Sequence, residues 1–124
     1  MQKLLLCCLL MALAFSAAAA DVSGHWNGSF MPENGDSGTA YVILKQSGTA
    51  ITGSGGPDAN EQWPGLTGTI SGNKVSFQVK SASDGTLYRG TLVIEGDHLK
   101  GDVVFTTADG QTGTAKLDLA RVNQ

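Results

Sequence analysis

The sequence predicts an all-β fold, an eight-stranded antiparallel up-and-down barrel, on three observations. Beyond Asp21 no segment carries helical periodicity, and glycine (17 of 124 residues) recurs between β-branched and aromatic residues, the composition of short strands joined by turns. Within those segments apolar and polar residues alternate, giving each strand one dry and one wet face. The connections between segments are by turns tight and long.

The first strand, His25 to Met31, carries Trp26 and Phe30 on one parity with Gly28 between them. The second and third, Thr39 to Gln46 and Ala50 to Gly55, flank the tight turn Ser47-Gly48-Thr49. Leu66 to Ser71 and Lys74 to Lys80 flank Gly72-Asn73, and in the latter Val75, Phe77 and Val79 oppose Ser76, Gln78 and Lys80. Leu87 to Glu95 and His98 to Thr106 flank Gly96-Asp97. There Leu99, Val103 and Phe105 stand against His98, Lys100 and Asp102. The eighth strand, Thr114 to Val122, sets Ala115, Leu117 and Leu119 against Lys116 and Asp118. Short glycine-bearing connections suit hairpins.

The remaining connections, Pro32 to Gly38, Gly56 to Gly65, Ser81 to Thr86 and Thr107 to Gly113, are longer. Alternate connections of a meander lie at opposite ends, so the long loops are expected around one mouth. The tight turns and both ends of the barrel chain are expected at the other. Closure removes the two open edges of a meander, and eight strands leave a bore that side chains fill or that holds one small ligand. Trp26, Phe30, Phe77, Leu92, Ile94, Leu99, Val103, Phe105, Leu117 and Leu119 are expected inside. A pocket is therefore expected to be shallow and near the mouth.

Residues 1–20 read as a secretory leader: Lys3, an apolar stretch from Leu4 to Phe15, and Ala18-Ala19-Ala20 before Asp21, with cleavage after Ala20. The stretch is too short to span a bilayer. Its removal takes Cys7 and Cys8, leaves residues 21–124 as one barrel domain, and places the product in the periplasm or outside the cell. Without Lys3, seven bases face eleven acids, a net of −4. That balance argues against nucleic acid or an anionic membrane as partner. Asn27-Gly28-Ser29 is formally a glycosylation sequon, relevant only in a eukaryotic host.

The opening Gly24-His25-Trp26 resembles the Gly-x-Trp start of lipocalins, fatty-acid-binding proteins and avidins. In the first two groups a basic residue near the chain's end crosses the indole and closes the floor. The resemblance implies this role for Arg121, with Gly24 and Trp26, as a structural floor. The wider run to Ser29 is similar to avidin strand one and to nitrobindin-like haem barrels. The departures bear on ligands. Avidins ring biotin with several tryptophans, whereas this barrel chain has Trp26 and Trp63 alone. His98 has outward parity where a haem barrel needs an inward histidine, so no cofactor is expected.

Function is expected at the long-loop mouth. Its loops hold Glu33, Asp36, Asp58, Glu61, Asp84 and Asp109 with no Lys or Arg, and Asn34, Asn60 and Gln62 beside them. Such a rim repels anions and attracts cations, although Asp84-Gly85 and Asp109-Gly110 also suit turns for their own sake. Trp63, before Pro64 in the longest loop, reads either as a lid over a ligand or as a plug in the barrel top. The candidate ligand-binding set is Trp63, Asp58, Asn60, Glu61, Glu33, Asp84 and Asp109. Asp58-x-Asn60-Glu61 is a fragment of a calcium-loop pattern, but it lacks the central Gly and distant Glu, so no metal site is assigned. Without Cys or an inward His, no nucleophile and base are paired, and no catalytic residue is assigned. The expected function is a binding module for a small molecule or a protein partner. The alternative is a periplasmic protease-inhibitor or protein-interaction barrel, for which residues 21–23 make a short arm and the usual disulfide is missing.

Overall fold

A computed structural model describes residues 21–122. The expected leader, with its cleavage point and cysteines, lies outside the described residues, as do Asn123 and Gln124. Eight strands follow in order: β1 (Gly24–Pro32), β2 (Gly38–Ser47), β3 (Ala50–Gly56), β4 (Trp63–Ser71), β5 (Lys74–Lys80), β6 (Leu87–Glu95), β7 (His98–Thr106) and β8 (Thr112–Arg121). Each pairs antiparallel with the next, and β8 pairs with β1, so the sheet closes into a barrel without an edge. The expected strands are present. The fourth and eighth start earlier than the alternation alone suggested, at Trp63 and Thr112.

Inward parity makes the core. Leu44, Ile51, Leu66, Val75, Leu92, Leu99 and Leu119 are all buried, each worth about 1.5–3 kcal/mol of transfer from water. Closing eight short strands demands sharp bends, and glycine permits them. At Gly28 the neighbouring strand comes so near that a Cβ would fall 1.8 Å from the Asp118 carbonyl oxygen. Phe77 lies across its strand partner Gly90, where a Cβ would stand 2.3 Å from the ring. The aromatic thus covers the gap that the missing side chain leaves.

The end that carries the tight turns is sealed. Trp26 is fully buried, and its indole N–H donates to the Val22 carbonyl at 3.0 Å. The Arg121 guanidinium lies 4.4 Å from the centre of the Trp26 ring, a cation–π contact of about 0.5–2 kcal/mol. The same guanidinium donates to the carbonyls of Ser23 (2.9 Å) and Asp21 (3.1 Å) and lies 3.8 Å from the Asp97 carboxylate. Gly24 leaves room for it, since a Cβ there would sit 3.3 Å from Nη1. Residues 21–23 are thereby folded under the barrel, with Val22 buried and its N–H donating to Gln46 Oε1.

Candidate functional site

The opposite end carries the connections of residues 33–37, 57–62, 81–86 and 107–111, and it is open. A cavity of about 150 Å³ enters there, lined among others by Phe30, Val42, Gly55, Trp63, Leu66 and Tyr88. Among the described residues no Asp, Glu, Lys, Arg or His side chain lines it. The Thr39 hydroxyl, at its edge, is committed to the Pro57 carbonyl at 2.6 Å.

The position of Trp63 corrects the expectation of a loop residue: it opens β4, opposite Gly55. Simple alternation from the buried Leu66 would turn residue 63 outward. A β-bulge intervenes. Gly53 pairs with Leu66 and Ser54 with Pro64, so Gly65 is an extra residue without a partner. Gly65 has φ +86°, a conformation that L side chains rarely adopt. The extra residue resets the parity, and Trp63 packs inward against the core; bulges commonly re-aim a side chain in this way.

The indole stacks on Tyr88, with ring centres 5.6 Å apart and planes 10° from parallel. Phe30 meets Tyr88 edge-on at 5.9 Å, and Phe105 lies 6.2 Å from it. Such pairs contribute about 0.5–1.5 kcal/mol each beyond burial. The outer edge of Trp63 stays at the surface, its N–H donating to Glu61 Oε2 at 3.3 Å. Tyr88 is a site residue that the sequence reading missed. Its parity with Leu92 and Ile94 was the available signal.

The rim acids largely serve their own loops. Asp58 Oδ1 accepts from the N–H groups of Asn60 and Glu61, both at 2.8 Å. Asp84 Oδ1 accepts from the Thr86 N–H at 3.0 Å, and Asp109 accepts from the Thr107 hydroxyl. Glu33 is bound through its backbone N–H to the Thr114 carbonyl at 3.0 Å. Glu33, Asp58, Asn60, Glu61, Asp84 and Asp109 all stand outside the cavity lining. Among the described residues no three His, Cys, Asp or Glu gather to hold a metal ion. His25 meets the Tyr41 hydroxyl at 2.8 Å and His98 meets Asp118 at 3.2 Å, both away from the cavity.

The backbone N–H of Thr86 holds the Asp84 carboxyl below its ordinary pKa, assisted by the Thr86 and Ser81 side chains. Burial, and then the charge of Asp84, push the Tyr88 phenol up, so it stays neutral well into alkaline solution. A depressed carboxylate stabilises the fold above its unfolded pKa, and that contribution is lost as pH falls through the folded value. Acidification below the ordinary carboxylate range is therefore expected to loosen residues 81–86 before the barrel. Amide exchange at Thr86 rising ahead of exchange at Leu92 would show it; simultaneous loss would contradict it.

Gly65→Ala is expected to cost about 1–3 kcal/mol through backbone strain alone, because a Cβ there meets nothing within 4 Å. The Trp63 emission should shift to the red as the stack on Tyr88 loosens. An unchanged spectrum would mean that the bulge does not hold the indole.

No protein-family model matches the chain, and no curated protein matches it. Among solved structures, a point mutant of the fluorescent protein UnaG is similar at 15% identity and a TM-score of 0.44, over 83% of this chain and 97% of that one. The barrel itself is established by the chain's own strand pairing. No helix among the described residues is long and apolar enough to cross a membrane.

Proposed function

We propose that this chain is an exported barrel that binds a small molecule at its long-loop mouth and performs no chemistry on it. The observation that carries this reading is the open apolar cavity beneath Trp63. One end of the bore is packed solid around Trp26, and the other is left unfilled although bulky side chains surround it. Interiors normally leave few voids larger than a water molecule, and a concave apolar recess with few polar groups is the usual form of a ligand site. The leader-like residues 1–20 support export. The lining supports binding rather than catalysis, since it offers no acid, amine, thiol or imidazole. The rival, a protein-interaction barrel inserting its N-terminal arm into a protease, draws no support from residues 21–23, which Arg121 and Gln46 tie to the floor.

The test is an NMR titration of the mature protein with a library of small molecules, following amide shifts. Shifts clustered on Phe30, Gly55, Trp63 and Tyr88 support the reading. Shifts scattered over the outer wall, for every compound that binds, would end it.

A further inference from the structure

We infer that the ligand taken at this mouth is uncharged and presents a single ring, or an apolar group of that size, beneath the Trp63 indole. The inference deepens the small-molecule reading and rests on it. Volume sets the size. Sites for drug-sized ligands run to about 300–1,000 Å³, whereas this cavity holds about 150 Å³. An apolar cavity of roughly 150 Å³ stays dry and accepts benzene. A long acyl chain cannot be housed, because Leu92, Leu99 and Leu119 fill the bore below.

The lining sets the charge. Phe30, Val42, Leu66, Val79, Val103 and Leu117 offer neither donor nor acceptor, and the polar groups beside them carry no charge: Thr39 is bound to Pro57, the Trp63 N–H to Glu61, and the Tyr88 phenol can offer one neutral hydrogen bond. Burying a carboxylate or an ammonium group there would leave an unpaired charge, which is strongly disfavoured. The Arg121 guanidinium is spent on the floor at the opposite end. At the entrance two acidic groups stand beside the ring residues. Glu61 touches the edge of Trp63, and Asp84 is close enough to Tyr88 to help keep its phenol protonated. An anionic head left at the mouth would meet both carboxylates.

Two features of the backbone make the recess. The bulge at Gly65 turns Trp63 over the opening, and Gly55, its cross-strand partner, leaves the space below. A Cβ on Gly55 would make ordinary contacts of 3.6 Å with Leu66, 3.7 Å with Val79 and 3.8 Å with Val42. Gly55→Ala thus narrows the cavity without straining the fold.

The test compares toluene, benzoate and benzylamine, ring compounds of nearly one size, at neutral pH and low salt, by NMR titration of the mature protein. Toluene is expected to shift Trp63, Tyr88 and Gly55. Benzoate should bind at least about tenfold more weakly, a difference of 1.4 kcal/mol. Gly55→Ala should weaken toluene severalfold with an unchanged or higher Tm. Benzoate or benzylamine binding as tightly as toluene would overturn the charge assignment. Toluene binding equally well to Gly55→Ala would overturn its placement. If all three fail while a larger compound shifts the same residues, the size class is wrong and the mouth still stands as a site. Shifts confined to the outer wall would instead remove the underlying reading.

Discussion

Trp26→Ala is expected to lower stability by about 3–5 kcal/mol, the range for losing a buried aromatic. The indole is fully buried at the closed end, and it makes two further contacts: its N–H to Val22 and its face to Arg121. Removing it leaves a cavity and frees the guanidinium that holds residues 21–23, so the floor and the N-terminal segment should loosen together. Trp63→Ala removes a residue of the same type that is only partly buried and rests on one stacked ring and a weak hydrogen bond. Its cost should be clearly smaller. The two denaturant midpoints, compared at constant m, decide the matter. Equal losses would make Trp63 a core plug and take away the lid.

Gly28→Ala is expected to be among the most damaging alanine replacements in the barrel. The added carbon would overlap the Asp118 carbonyl oxygen at 1.8 Å and crowd the Leu119 Cα at 2.9 Å. Those are backbone atoms of β8, so no rotamer change relieves the clash, and β1 and β8 must part. That pairing closes the barrel. The loss should exceed about 4–5 kcal/mol, a large share of the 5–15 kcal/mol that a small domain possesses. Gly38→Ala, with nothing within 4 Å of the new methyl, is the control and should leave the fold intact. Near-UV circular dichroism and amide exchange across β1 and β8 would read the difference. A Gly28→Ala protein melting within a few degrees of the parent would show that the strands do not approach so closely.

Most of the barrel can be read from the chain because period-two alternation is a local property that survives folding unchanged. Val75, Phe77 and Val79 face inward for the same reason that Ser76 and Gln78 face water: successive side chains on a strand point to opposite sides. The long loops likewise share an end because strand direction alternates. The site is less legible. Asp58, Asp84 and Asp109 reach the mouth region, but each carboxylate caps backbone or hydroxyl donors of its own loop, a use that turn residues often have. Tyr88 could have been found by counting back from Leu92. Trp63 could not be placed by counting, because Gly65 breaks the count.

The sequence alone determined the number of strands, their order, the tight and long alternation of their connections, and the residues that fill the lower bore. All of these follow from local periodicity and from glycine at turns. Tertiary structure decided that Trp63 faces in and that the upper bore keeps a cavity between its aromatic rings. A bulge exists only as a mismatch between two paired strands, and a cavity only as the space that eight of them fail to fill. Neither is a property of any one segment of chain.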